Sequence, residues 1–271
     1  MASSVSESDQ NYVEICRAAA VDTVLFNQFR RDPRYTTILE HVSNSLGKIY
    51  LECLSAGGRA ASQLVEAAKN DAIGKPLTMQ LESGLDISPT TLRYLKVADD
   101  LERHFGSLDG ADVVEIGVGY GGQCRVLDCI FKLRSYTLVD LRPVLALADR
   151  FLGNFPLRCG LRFRTMNELL PHNYDLVISN YAFSELRREV QETYFNKVLR
   201  HCQKGYITYN EINPSEYRTF TVDEIRNRLN AQVFAEHPLT DPKNCIVVWN
   251  QAPALSEQTV LRNESYGRDS S

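Results

Sequence analysis

The chain has 271 residues, 44% hydrophobic and 24% charged, a composition that excludes a disordered or collagen-like polypeptide. Its 30 Lys and Arg against 34 Asp and Glu leave a net charge of −4, without the basic field of a general nucleic-acid binder. No apolar run approaches the roughly 20 residues of a membrane span and MASSVSESDQ is not a signal peptide, so a cytoplasmic protein with no membrane or nucleic-acid partner is expected.

Residues 1–10 and 252–271 are polar and without apolar period, and are expected to be disordered ends. Residues 11–72 read as a helical extension. Asp32-Pro33 is a start signal, because Asp caps free amides and Pro fits a first helical position. Tyr35, Ile38, Leu39, Val42, Leu46, Ile49 and Cys53 then predict one helix with an apolar face, stopped at Gly57-Gly58. A second helix is expected over 60–70. Residues 73–110 form a lid loop, 73–87, and a helix opened by Ser88-Pro89 and closed at Gly106.

From Ala111 the texture changes. Strands are expected at 112–117, 135–140, 161–165, 174–180 and 205–210, and helices at 121–133, 143–153, 184–202 and 221–229. Two closing strands, 231–237 and 244–250, leave no room for a helix between them and predict an antiparallel hairpin. The fold class is therefore α/β: a Rossmann-like, seven-stranded, mostly parallel sheet with its last strand reversed, spanning 111–251 and preceded by the helical extension. Seven cysteines, none in a CxxC, read as reduced and mostly buried thiols.

The segment that carries chemistry is Val113-Val114-Glu115-Ile116-Gly117-Val118-Gly119-Tyr120-Gly121-Gly122. A strand runs into a glycine-rich turn and then a helix, the place where open α/β sheets bind ligands. Gly117, Gly119 and Gly122 satisfy GxGxxG, a dinucleotide fingerprint. Gly117, Gly119 and Gly121 after Glu115 satisfy the E/D-x-G-x-G-x-G pattern of S-adenosylmethionine (SAM) methyltransferases. Three features favour SAM. Glu115 can meet a methionine ammonium, but offers nothing to a pyrophosphate. A long helical front precedes the motif. The closing strand pair suits a methyltransferase sheet. Asp140, ending the next strand, suits either cofactor as an acceptor for ribose hydroxyls.

VVEIGVGYGGQ, LVISNYAFSELRREVQ, GYITYN, LTDPKNCIVVW and the upstream SPTTLRYLKVADDLERHFGSLDG resemble the sugar O-methyltransferase family, class I Rossmann-like enzymes that use SAM. The resemblance runs from about Gly74 to Trp249. It implies methyl transfer to a hydroxyl of a sugar or glycoconjugate, with a small-molecule or glycan substrate as partner.

Glu115, Gly117, Gly119, Gly121, Asp140, Leu141, Met166, Asn167 and Ser179 are the candidate cofactor-binding residues. Arg93, Tyr94, Asn180, Tyr181, Phe183 and Asn210 are candidates for the acceptor, Tyr181 and Phe183 as faces for a sugar ring. An alcohol needs a proton acceptor. Glu185, at the expected start of a helix, leads, with Glu211 and His237 as competitors. No compact cluster of Asp and His calls for a metal. Another small-molecule acceptor and a non-catalytic SAM-fold scaffold are the rival readings. The helical front is read as a substrate lid, a surface for homo-oligomer formation, or both.

Overall fold

Short polar side chains set the helix starts, because a first turn leaves backbone amides without partners. In the computed structural model, which describes residues 9–251, Asp9 caps α1 (Gln10–Val21), Asp22 caps α2 (Thr23–Phe26) and Asp32 caps α3 (Pro33–Thr36). Ser43 caps α4 (Asn44–Ala56), α5 (Ala61–Ala68) follows, and Ser88 caps α6 (Pro89–Phe105). The ends expected to be disordered lie outside the described residues, except that Asp9 and Gln10 begin α1. Within the expected loop, β1 (Met79–Gln80) and β2 (Asp86–Ile87) form a small antiparallel hairpin.

The single helix expected from Tyr35 to Cys53 is two helices. Between α3 and α4 the chain bends, with Glu40 at a left-handed φ of 63°. The apolar face changes with the break: Gly47, Tyr50 and Leu54 are buried, whereas Ile49 is 41% exposed. The cause is long-range. Glu40 is drawn out of helical phase by an ion pair with Arg30, which local periodicity does not report.

The remaining chain alternates as expected: β3 (Asp112–Ile116), α7 (Gly122–Ile130), β4 (Ser135–Val139), α8 (Arg142–Leu152), β5 (Gly160–Arg164), β6 (Leu176–Asn180), α9 (Arg188–Lys197), β7 (Lys204–Tyr209), α10 (Val222–Leu229), β8 (Gln232–Ala235) and β9 (Cys245–Asn250). The sheet order is β5-β4-β3-β6-β7-β9-β8, parallel except for β9, which runs against both neighbours. This is a Rossmann-like seven-stranded sheet with a reversed last strand. The chain moves outward from β3 to one side through β4 and β5, then returns to β6 on the other. The switch point therefore lies at the carboxyl ends of β3 and β6.

Alternate strand residues feed two cores. Val113, Tyr136 and Leu138 pack with α6, α7, α8 and the front helices. Val114, Ile116, Val177 and Trp249 pack with α9 and α10 on the opposite face. The front belongs to the first core, α1 lying on α8 and α4 on α6.

One buried cation joins front and core. Arg30, 1% exposed, donates from Nε to Glu40 (2.7 Å), from Nη1 to Asp71 and the Asn70 carbonyl (both 3.0 Å) and from Nη2 to Ser88 Oγ (3.2 Å). Its Cζ sits 4.5 Å from the ring centroid of Tyr120. Removing one partner of a buried pair leaves the other charge uncompensated, at a cost of about 3–5 kcal/mol. Arg30→Met is therefore expected to lower the urea midpoint by that much stability with the m-value unchanged. A loss below about 1 kcal/mol, the range of exposed pairs, would show that apolar contacts alone hold the front.

Candidate functional site

The turn from β3 to α7 carries Gly117, Gly119 and Gly121 at φ of 80°, 52° and 86°. Two of these glycines are required by close approach as well as by backbone angle. A Cβ on Gly117 would lie 2.0 Å from the methyl of Ala182, which follows β6, and one on Gly119 would lie 2.8 Å from Leu39 Cδ1 in the front. The Tyr35 hydroxyl, buried and without a hydrogen-bond partner among the described residues, lies 3.8 Å from that same Gly119 position.

Two carboxyls flank the turn. Glu115 is 2% exposed and accepts one bond, from the Tyr136 hydroxyl at 2.9 Å. Burial pushes its pKa up to about 8, against the Tyr136 bond and the charge of Arg93, and with the charge of Asp140. Asp140 follows β4 and accepts from the amides of Val118 (2.8 Å), Gly119 (3.4 Å) and Leu141 (2.7 Å). Burial lifts its pKa to about 6 despite those three bonds. The chemistry of this set suits SAM. A buried acid held largely neutral has a use for an ammonium, and a second acid stands at the next strand end where a ribose would lie.

A cleft opens beside the end of β6, lined by Arg93, Asn180, Tyr181, Glu236, His237 and Tyr50 among others. Tyr181 takes a left-handed φ of 67°, a strained setting for an aromatic residue. Its hydroxyl donates to Glu236, which is 7% exposed and also accepts from the Thr240 amide at 2.9 Å. Arg93 Cζ lies 5.6 Å from the Tyr181 ring centroid and 5.7 Å from that of Tyr94. His237 Nε2 is 3.4 Å from Cys53 Sγ of α4, so the front forms one wall. Behind Arg93, Lys96 is paired with Asp100 at 2.6 Å, and Tyr206 donates to the same carboxylate at 3.0 Å.

The expected residues thus divide. Glu115, Gly117, Gly119, Gly121, Asp140 and Leu141 gather around the turn; Arg93, Asn180, Tyr181 and His237 share the cleft. Ser179 is buried as a clip, its hydroxyl donating to the Ile116 carbonyl (2.9 Å) and accepting from the Phe183 amide (3.0 Å). Phe183 offers no face to a sugar: it is fully buried and stacks on Phe220. Tyr94 is buried, its ring against Gly122 and Tyr120, and belongs to the core.

Glu185 does not start a helix, because α9 begins at Arg188. The Ser179 and Ser184 hydroxyls capture residues 181–187 in turns, Ser184 reaching the Tyr181 carbonyl and the Asn210 side chain at 2.6 Å each. Asn210 in turn donates to Glu185 at 2.9 Å, and burial pushes the Glu185 carboxyl up. Neither side chain lines the cleft. Glu211 is exposed beyond β7. Met166 packs on the second core and its carbonyl accepts from Lys197, while Asn167 is exposed. Glu236, Tyr35 and Tyr50 were not among the candidates. Each comes from a segment far from the glycine motif, and only the tertiary fold brings it near.

Among the described residues no helix is long and apolar enough to cross a membrane, and no group of three or more His, Cys, Asp and Glu is placed to hold a metal. No family model matches the sequence, and no curated protein matches it. Among solved structures the chain is similar to the mitomycin 7-O-methyltransferase MmcR, at 16% identity over 60% of this chain and 57% of that one, with a TM-score of 0.41. It is similar to Haemonchus contortus phosphoethanolamine N-methyltransferase 2 bound to SAM, at 20% identity over 54% of this chain and 39% of that one, TM-score 0.42. TehB from Haemophilus influenzae is another such likeness, at 15% identity over 58% and 61%, TM-score 0.44. The chain thus matches between 39% and 61% of the length of these structures.

The Glu115 carboxyl supplies a pH test. Its folded pKa is raised, from 4.5 to about 8, so the native state holds a proton that the unfolded state releases. Its stabilisation is complete below pH 4.5 and is lost as pH rises through 8. Asp140 acts in the same direction but is spent above its value of about 6. Between pH 6.5 and 8 the urea midpoint of the ligand-free protein is therefore expected to fall. Glu115→Gln, which keeps an acceptor for Tyr136, is expected to flatten that slope; an unchanged slope would place the titration elsewhere.

Proposed function

We propose that the chain is a SAM-dependent O-methyltransferase that methylates a hydroxyl of a sugar or glycoconjugate. The observation that carries this reading is the left-handed glycine turn held between buried Glu115 and half-buried Asp140 at the switch point of the sheet. When bound, the cofactor supplies a methyl group on a sulfonium. Glu115 receives the ammonium and recovers its charge. Asp140 exchanges bonds to the turn amides for ribose hydroxyls. Leu141 packs at the adenine side. The seven free thiols support a reducing, cytoplasmic location. The front covers the first core, while Val21, Val24, Ile49 and Val65 stay exposed on it and leave it a surface for a second copy.

On the acceptor side, Asn180 and Tyr181 hold the polyol, and a base takes its proton. His237 is the better-placed base: it lines the cleft with Asn180 and Tyr181, and a neutral imidazole nitrogen can accept a proton. Glu185 is tied to Asn210 outside that lining. The free space in the cleft is about 20 Å³, room for a water molecule, so an acceptor enters as the wall retreats.

Calorimetry with S-adenosylhomocysteine tests the cofactor. Binding is expected, weakened by about 1.5–3 kcal/mol in Asp140→Ala if charge-assisted bonds to the ribose are lost. No binding by the wild type would end the methyltransferase reading. For the chemistry, methyl transfer to a panel of neutral and anionic sugars is expected to fall roughly 10²–10⁴-fold in His237→Ala, the range for losing a general base. Glu185→Gln and Glu211→Gln are expected to stay within a few-fold of wild type. Loss in Glu185→Gln with retention in His237→Ala would move the base to the β6 end.

A further inference from the structure

We propose that the acceptor carries an oxyanion, a carboxylate or a phosphate ester, and that Arg93 receives it. The proposal rests on the methyltransferase reading and narrows its substrate. Arg93 stands on the second turn of α6, half-buried in the wall of the cleft that also holds Asn180, Tyr181 and His237. Its contacts are the faces of Tyr94 and Tyr181. Among the described residues it makes no hydrogen bond and no ion pair. Glu40 and Glu115 act on it or are acted on by it through space, but neither reaches pairing distance.

The other charges of the cleft are engaged. Lys96 and Asp100 hold each other, Tyr206 adds to Asp100, and Glu236 is occupied by Tyr181 and Thr240. The more deeply buried arginines of this protein show what a guanidinium ordinarily finds here. Arg30 has Glu40 and Asp71, Arg59 has Asp99, and Arg125 has Glu66. Arg93 alone among these four lacks a carboxylate. Five donors in a planar fork, partly removed from water and flanked by two rings, form a ready receptor for a bidentate oxyanion. Supplying that anion offsets the cost of holding the cation out of water. Its place beside Tyr181 puts the anion next to the hydroxyl to be methylated.

The methionine carboxylate of the cofactor has the same chemistry, so the test separates the two sources. S-adenosylhomocysteine is titrated into wild type, Arg93→Gln and Arg93→Lys; D-glucuronate, glucose 6-phosphate and D-glucose are then titrated into each saturated protein. At least one anionic sugar is expected to bind the wild type at least tenfold more tightly than glucose. Arg93→Gln is expected to abolish that preference and Arg93→Lys to keep part of it, with S-adenosylhomocysteine affinity within twofold in both. Equal binding of glucose, a preference that survives Arg93→Gln, or no binding by any of the three sugars would overturn the proposal. So would a tenfold loss of S-adenosylhomocysteine affinity in Arg93→Gln, which would give Arg93 to the cofactor. Should Arg93→Gln fail to fold, the sugar preference of the wild type and its reduction in Arg93→Lys decide. A wild type that binds no S-adenosylhomocysteine fails at the first titration, and that outcome strikes the methyltransferase reading itself.

Discussion

The buried guanidinium of Arg30 is the constraint from which the front half of this protein is arranged. A charge removed from water must be surrounded by acceptors, and Arg30 draws them from three separate stretches of chain: Glu40, Asn70 with Asp71, and Ser88. Asp71 extends the network to the start of α6 through the Ser88 amide and the Thr91 hydroxyl. The guanidinium also lies over Tyr120, and Tyr120 belongs to the glycine turn. The front is thereby coupled to the turn through a buried cation that two carboxylates, a carbonyl and a hydroxyl surround.

That coupling explains why the turn is crowded on its own side of the sheet. Tyr120 is enclosed by Phe29, Phe151 and Tyr94. Leu39, just before the left-handed Glu40, is held over Gly119. The glycines therefore answer two demands at once, the backbone angles of the turn and the absence of a side chain where Ala182 and Leu39 press in. The helical front acts as one wall of the glycine turn and, through Tyr50 and Cys53, of the cleft beside it.

The sheet was legible because its signals are local. Apolar runs of five or six residues, capped helices and a terminal strand pair with no helix between them suffice to write the seven strands and the reversal of the last. The glycine turn with Glu115 and Asp140 was legible for the same reason, each acid falling at the end of a strand. What failed was phase and orientation. The run from Tyr35 to Cys53 keeps a helical period across a break made by a distant arginine. Phe183 lies at the ligand edge of the sheet, as position along β6 suggested, yet its ring turns into the second core once Ser179 has captured its amide. Glu236 carries no pattern at all; it matters because β8 ends beside Tyr181.

The electrostatics of the site ties these observations together. Stable cores neutralise what they bury, and most of this one does: Lys96 with Asp100, Arg125 with Glu66, Arg59 with Asp99. Around the turn and the cleft the rule lapses. Burial pushes the Glu115 carboxyl up, Asp140 relies on backbone amides, and Arg93 rests on aromatic faces. Incomplete pairing costs stability, and it is concentrated here, at the carboxyl ends of β3, β4 and β6, rather than spread over the fold. On the reading proposed above, an ammonium beside Glu115 and an oxyanion beside Arg93 would complete both deficits. The binding energy of each ligand would then include the relief of a charge that folding alone leaves unmatched.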